Sequence, residues 1–233
     1  MTYLHWNQIT ISDHSPQAVT GLYELGYVFT RLGKGIMQQT RSARVDLSAF
    51  DLSSENRRIL KKTEGIMLQT VDLPLLSSGQ NTYDWKLGKS AKDFYDDKFG
   101  PGIMSAQKIK EMLTSANDSN FNLLLRYTMG TESVGYSICY SNPQLLHYSY
   151  PFYDPSKAPN SIGLGMMIRA IQYAKSIGLK HIYIGSLQRP ADTYKLQFEG
   201  LEWFDGGPEG SGTWTSDIER IKKALKESKM TLV

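Results

Sequence analysis

The fold turns on one stretch: Phe152-Tyr153-Asp154, then Ser161-Ile162-Gly163-Leu164-Gly165, an apolar periodic run to Ile177, and His181-Ile182-Tyr183-Ile184-Gly185. It reads as a turn, a glycine pair opening a helix of about four turns, and a short β-rich run. Together these make one β-loop-α-β crossover. The glycine loop leads straight into a helix N-terminus, where unpaired backbone N–H groups and the helix dipole favour an anion.

Upstream of this unit, Phe121–Thr128 and Val134–Tyr140 read as strands joined by a hairpin at Gly130-Thr131-Glu132, and Gln144–Tyr150 continues the meander. Lys89–Phe99 and Ser105–Ala116 read as helices, separated by Gly100-Pro101-Gly102. Residues 74–90, with the polar cluster Leu76–Thr82, read as a linker. Nearer the N-terminus, Tyr27–Arg31 and Ser42–Leu47 have strand character, and Ser53 starts a helix that Gly65 stops. Beyond the crossover the sequence predicts a helix over 192–198, a strand over 201–204, a glycine-rich loop at 206–212 and a closing helix over 215–229. The sum is an α+β fold with a mixed sheet flanked by helices, divided into a small N-terminal extension (1–75) and a catalytic-type domain (76–233).

Composition sets bounds. The chain has 233 residues, 40% of them hydrophobic and 21% charged, which describes a globular protein with a core of its own. A formal charge of +3 excludes a polyelectrolyte binder and leaves room for a local basic patch. The single cysteine, Cys139, lies in a strand-like run and reads as a small packing residue. With no internal disulfide possible and no signal peptide or membrane span in view, the expectation is a cytoplasmic protein with no membrane partner. The four histidines lack partners at metal-ligand spacing, so no metal site is expected.

The order of elements resembles the GCN5-related N-acetyltransferase (acyl-CoA N-acyltransferase) fold, in which the sheet splays open and a carrier's pyrophosphate sits before the central helix. Here Asn160 stands where that loop carries a basic or amide residue. The wider sequence resembles the C-terminal domain of the arginyl-tRNA–protein transferase family. The residues that carry this are Phe152-Tyr153-Asp154, Ser161 to Gly165, Ala170–Ala174 on the helix, Ile182–Gly185, and Arg189-Pro190 through Tyr194-Lys195 to Phe198. Leu25–Arg31, Ser42–Val45 and Ser54–Lys61 occupy the places of that family's N-terminal elements. Gly35–Thr40 replaces the cysteines the family often carries there, so a metal or iron–sulfur centre built on those thiolates is excluded.

The resemblance implies an aminoacyltransferase that uses aminoacyl-tRNA (arginyl-tRNA or similar) as co-substrate, with no separate cofactor, and modifies the N-terminal amine of a protein or peptide. Such a reaction needs a deprotonated amine, oxyanion stabilisation and proton delivery to a ribose oxygen, but no covalent nucleophile. Tyr153, Asp154 and Tyr194, with Asp192, are the candidates for amine recognition and proton handling. Asp154 equally suits a plain turn. Ser161, Gly163 and Gly165 are candidates to cradle a phosphate or the terminal adenosine, or else are a helix cap with close packing. Lys195 could meet a phosphate or be a solvated helix lysine. Arg57, Arg58, Lys61 and Lys62 form the densest basic cluster, with i,i+4 pairs that suit tRNA phosphates or a solvated helix face. The rival readings are an acetyl-CoA-dependent N-acetyltransferase and a relative that binds tRNA or peptide without catalysis.

Overall fold

The computed structural model describes residues 3–76, 82–157, 159–207 and 210–230. In chain order the elements are β1 (Asn7–Thr10), α1 (Pro16–Glu24), β2 (Tyr27–Phe29), β3 (Ile36–Gln39), β4 (Ser42–Asp46), α2 (Ser54–Lys62) and β5 (Ile66–Asp72). Then follow α3 (Trp85–Phe99), α4 (Ala106–Thr114), β6 (Leu123–Met129), β7 (Glu132–Ser141), β8 (Leu145–Tyr153), α5 (Ile162–Ser176) and β9 (His181–Ser186). A 3₁₀ helix (Pro190–Gln197), β10 (Leu201–Gly206), β11 (Gly212–Thr215) and α6 (Ile218–Met230) complete the chain.

An eight-stranded sheet in the order β11-β10-β4-β9-β8-β7-β6-β5 forms the centre, and a three-stranded sheet β1-β3-β2 packs beside it. This is the mixed sheet flanked by helices that the sequence predicts. Strands β4 and β5, both from the first 75 residues, are built into the large sheet. Alternation along β6 shows how two faces are served: Leu123, Leu125 and Tyr127 enter one core with α2, α5 and α6, while Leu124 enters the other with α1, α3 and α4. The β6–β7 turn is a two-residue connection with Gly130 at φ +58°, the left-handed conformation that tight hairpins need.

The β8–β9 pair is the feature that positions a site. Every other strand pair in the large sheet is antiparallel; β8 and β9 are parallel and pair only through Leu145↔His181, Leu146↔Ile182 and His147↔Tyr183. Beyond His147 the strands part, although β8 continues to Tyr153 and β9 to Ser186. The divergence coincides with an irregularity in β8, where pairing to β7 jumps from Cys139↔Tyr148 to Ile138↔Tyr150 and Ser149 becomes a bulge. The result is a sheet splayed open at the C-terminal ends of its two parallel strands, directly beneath the N-terminus of α5.

Several sequence expectations change. Strand β8 runs through Phe152 and Tyr153, so only Asp154 begins the turn. Residues 85–90 are the first turns of α3, capped by the Asp84 side chain on the Lys86 N–H at 2.9 Å, and are not linker; residues 77–81 of that stretch lie outside the described residues. Thr215 ends β11, so the last helix starts at Ile218. The segment after β9 is a 3₁₀ helix beginning at Pro190, two residues before the expected α-helical start. Cys139 is fully buried in β7 and its thiol is pushed up to about 12 by burial, which suits a packing residue.

Candidate functional site

Three elements meet at the open end of the sheet: the first turn of α5, the C-terminal half of α3, and the 3₁₀ helix after β9. Each carries charge to the opening for a local reason.

Helix α5 starts without a side-chain cap. Ser161, at its N-cap, sits in the left-handed region (φ 71°) and its hydroxyl makes no capping bond. The amides of Ile162 and Gly165 find the Pro159 and Ser161 carbonyls, at 3.2 and 2.9 Å. Those of Gly163 and Leu164 have no acceptor among the described residues. Two free N–H groups and the positive end of a 15-residue helix therefore face the opening.

Both glycines are explained by packing. A side chain at Gly163 would come within 3.1 Å of the Tyr153 ring, and one at Gly165 within 2.7 Å of Thr63 Oγ1. Gly165 is buried against the end of α2, with its amide bonded to the Ser161 carbonyl. Arg169, one turn further along, locks this junction. It donates from Nε to the Ile66 carbonyl (3.0 Å), from Nη1 to Thr63 Oγ1 (2.9 Å) and the Gly165 carbonyl (3.1 Å), and from Nη2 to the Thr63 carbonyl (2.7 Å). We predict that Gly165→Ala destabilises the fold by about 1–3 kcal/mol through overpacking. A urea midpoint equal to that of the parent would contradict the tight fit.

The 3₁₀ helix supplies Asp192, Tyr194 and Lys195. Asp192 is buried and accepts three hydrogen bonds: Oδ2 accepts from the Gln188 and Arg189 amides, both at 2.9 Å, and Oδ1 from Arg189 Nη2 at 3.0 Å. Burial works against its charge, but Lys195, Arg189 and those two amides outweigh burial and hold the carboxyl below its usual range. Lys195 is buried too, only 6% exposed, with Nζ donating to the Ser186 carbonyl at 2.8 Å beside Gly185. This decides against a solvated helix lysine. Burial first pushes its ammonium down to about 8; Asp192 opposes that shift, and Arg189 and Lys98 add to it. Tyr194 is 43% exposed, and its phenol is pushed up to about 12, by desolvation and then by the Asp192 charge.

Two cations that the sequence did not single out complete the opening. Lys98, near the end of α3, places Nζ 5.1 Å from the Phe94 ring centroid, 5.7 Å from Phe99 and 5.8 Å from Tyr153. The Arg189 guanidinium lies 4.7 Å from the Phe99 ring. Lys98, Arg189 and Lys195 thus stand around one buried carboxylate, Asp192, and outnumber it there. Tyr153 forms the wall between α3 and α5, with its ring 4.7 Å from Phe94 and its hydroxyl raised by burial. The Tyr148 hydroxyl, one residue past the last parallel pair, is buried and has no hydrogen-bond partner among the described residues.

Asp154 behaves as a turn residue. Its Oδ1 accepts from the Ser156 amide (2.9 Å) and hydroxyl (2.6 Å), bonds that hold its carboxyl below the ordinary range. The basic cluster lies on α2, with all four side chains exposed. Arg58 is paired with Glu55 through Nε at 2.6 Å and Arg57 caps the Leu52 carbonyl, while Lys61 and Lys62 form no ion pair among the described residues. The structure brings Tyr153, Tyr194, Lys195 and the start of α5 together, and the helix that carries Arg57, Arg58 and Lys61 adjoins them through Thr63 against Gly165 and a bond from Asn56 Nδ2 to Gln197 Oε1 at 3.1 Å. Among the described residues there is no group of three or more His, Cys, Asp or Glu side chains arranged to hold a metal, and no helix long and apolar enough to cross a membrane.

Comparison with known proteins bears on this geometry. Residues 91–205, which contain Lys98, β8, α5, β9 and the 3₁₀ helix, match the family described as arginine-tRNA-protein transferase, C terminus. The aspartate/glutamate leucyltransferase of Acinetobacter baumannii is 25% identical over 170 residues, covering 72% of this chain and 60% of that protein. Its namesake from Dinoroseobacter shibae is 26% identical over 180 residues, covering 71% and 60%. The chain thus spans about 60% of the length of these curated relatives. A solved GCN5-related glucosamine N-acetyltransferase region of a fungal multi-domain β-N-acetylglucosaminidase aligns with a TM-score of 0.45 and 10% identity, covering 84% of this chain and 22% of that one. The likeness to the arginine-tRNA-protein transferase family thus rests on residues 91–205 and on relatives of 25–26% identity.

Proposed function

We propose that this protein transfers an amino acid from aminoacyl-tRNA to the N-terminal amine of a protein or peptide. The observation that carries the reading is the buried Lys195 ammonium. It is held by the Ser186 carbonyl at 2.8 Å, at the open end of the sheet, beside two unsatisfied helix amides. In the reaction the acceptor amine attacks the ester carbonyl, a C–N bond forms, and the ester C–O bond breaks. The amine's proton leaves with the ribose oxygen. A lysine ammonium with N–H donors beyond the one used on Ser186 opposes the charge of the tetrahedral oxyanion. The Tyr194 phenol keeps its proton at working pH and is suited to supply a hydrogen bond to the departing ribose oxygen. The free Gly163 and Leu164 amides, at a terminus shaped by Ser161, suit a phosphate of the tRNA acceptor end. Exposed Arg57, Arg58 and Lys61 suit phosphates further from it.

The amino acid moved and the acceptor read are part of the proposal. The family's description names arginine, and the curated relatives are named for leucine as donor group and aspartate or glutamate as acceptor. An acidic first residue would meet Lys98, which forms no ion pair among the described residues, beside Arg189, which is bonded to Asp192. The test is label transfer from leucyl- and arginyl-tRNA onto peptides beginning with Asp, Glu or Ala. Label in peptides with an acidic first residue is expected. Acetyl transfer from acetyl-CoA in the absence of tRNA, with no label from either charged tRNA, would overturn the reading.

A further inference from the structure

A second feature adjoins the opening and is not used by the chemistry above. Between α3 and the turn after β8 runs an open cleft of about 360 Å³. Its α3 wall consists of Lys86, Lys89, Ser90, Asp93, Phe94 and Asp97. These positions recur at intervals of three and four, so they form a single stripe along the helix. Eleven residues of rise at about 1.5 Å each make the stripe roughly 16 Å long. An extended polypeptide advances about 3.3 Å per residue, so roughly five residues fit along it.

The cleft is continuous with the opening. Phe94 and Tyr153 line it, and the same two rings lie under the Lys98 ammonium. Its charge separates it from a nucleic-acid track: Asp93, Asp97 and Asp154 stand against Lys86 and Lys89, three carboxylates to two ammonium groups. Lys89 and Asp93 are moreover paired with each other at 2.5 Å. The charges left over are spread along the helix. Asp97 lies at the end next to Lys98, Asp154 follows Tyr153 on the facing turn, and Lys86 lies at the far end, near the start of α3. A phosphate backbone leaving the opening this way would run into carboxylates first.

We infer that this cleft is the path of the acceptor polypeptide, whose second and third residues pass Asp97 and Asp154 and whose fourth and fifth pass Lys86. The inference rests on transfer to an N-terminal amine, as proposed above. It makes the enzyme selective beyond the first residue: basic side chains are preferred at positions two and three, acidic ones at four and five. Phe94 and Tyr153 give the chain an apolar floor between the two charge zones.

Kinetics with peptides of fixed first residue, bearing Lys, Gln or Glu at positions two and three, test this. Because solvent-exposed ion pairs are weak, the expected gap between the Lys and Glu peptides is roughly three- to fivefold in KM with kcat unchanged. Asp97→Lys should reverse that order, and Lys86→Glu should reverse the preference at positions four and five. Amino-acid amides, too short to leave the opening, should react equally well with parent and Asp97→Lys. Equal KM values across the peptide series would overturn the cleft assignment while leaving aminoacyl transfer intact. So would a loss on amides as large as that on long peptides. If no peptide or amide is labelled at all, the transfer reading fails instead. Fluorescence anisotropy of a labelled Lys-bearing peptide then reads the cleft directly, and binding unaffected by Asp97→Lys overturns it.

Discussion

Lys195→Met is expected to lower kcat/KM for aminoacyl transfer by roughly 10²–10³-fold while leaving the protein at least as resistant to urea as the parent. The first half follows from removing the charge that faces the developing oxyanion; losing one such donor typically costs on this scale. The second follows from burial. Lys195 is 6% exposed and its ammonium uses one recorded acceptor, the Ser186 carbonyl, so a methionine of similar volume relieves a desolvated charge. Asp192 keeps its bonds to the Gln188 and Arg189 amides in the variant. A variant that lost activity only in proportion to lost folded protein would remove Lys195 from the chemistry.

The pH profile checks the role independently. An α-amine acceptor loses its proton near pH 8, so the rate rises through that region. Lys195 must stay charged to oppose the oxyanion, and its pKa stands at about 8, so the rate falls as pH rises through the same value. The two limbs give a bell with its maximum close to pH 8. Lys195→Arg keeps the cation at any accessible pH, so whatever activity it retains should lose the alkaline limb. An alkaline limb that survived in the arginine variant would belong to another group.

Arg44→Met is expected to cost about 2–3 kcal/mol of stability without altering the residues at the opening. Arg44 is 6% exposed and bonds Glu24 at 2.6 Å, Glu202 at 2.7 Å and the Tyr183 hydroxyl at 3.3 Å. Its guanidinium also lies 4.1 Å from the Trp214 ring. It thus joins α1, β4, β9, β10 and β11. The loss falls below the ~3–5 kcal/mol usual for a broken buried pair, because Glu24 and Glu202 are 38% and 30% exposed and recover some hydration. Acid should reveal the same link. His181 first, and Arg44 with it, hold the Glu24 carboxyl at about 2 against an ordinary 4.5. Glu24 therefore contributes stability that is present above pH 4.5 and is lost as pH falls toward 2. Urea unfolding of parent and variant at pH 7 and pH 3 measures both effects. A loss below 0.5 kcal/mol at pH 7 would show that the network is dispensable.

Much of this was legible in the sequence where one residue type settled a local question. Ser53 announced α2 and does cap it, in a reciprocal pair with Asn56. Gly130 marked the β6–β7 hairpin, and the apolar repeat of α5 between two strands gave the crossover. The short strands β1, β3 and β5 were not legible, because their residues alternate weakly and their pairing comes from distant partners such as β6. The start of α3 was hidden for a similar reason: Trp85 is 65% exposed, so the first turn shows no apolar face. At the site, Tyr153, Tyr194 and Lys195 could be named from their motif. Lys98 could not, since what distinguishes it is rings contributed by Phe94, Phe99 and a strand more than 50 residues away, at Tyr153. Gly165 stayed ambiguous for the opposite reason. A glycine spared for a ligand and one spared for Thr63 look the same in one dimension.

The position of β4 bears on how the molecule is made. This strand comes early in the chain yet lies between β9 and β10, and the Arg44–Tyr183 and Arg44–Glu202 bonds span 139 and 158 residues. During synthesis β4 must wait, unpaired on both edges, until most of the chain has left the ribosome. Pairings of such long range carry a heavy loop-closure cost and are slow to form. The local meander β6-β7-β8 can form first, with β9 joining through its crossover helix. The insertion of β4 between β9 and β10 then becomes the late, committing step of folding. A nascent chain halted before β10 would hold the opening's residues in approximate place with the β10-facing edge of β4 still bare, a state exposed to association with other chains.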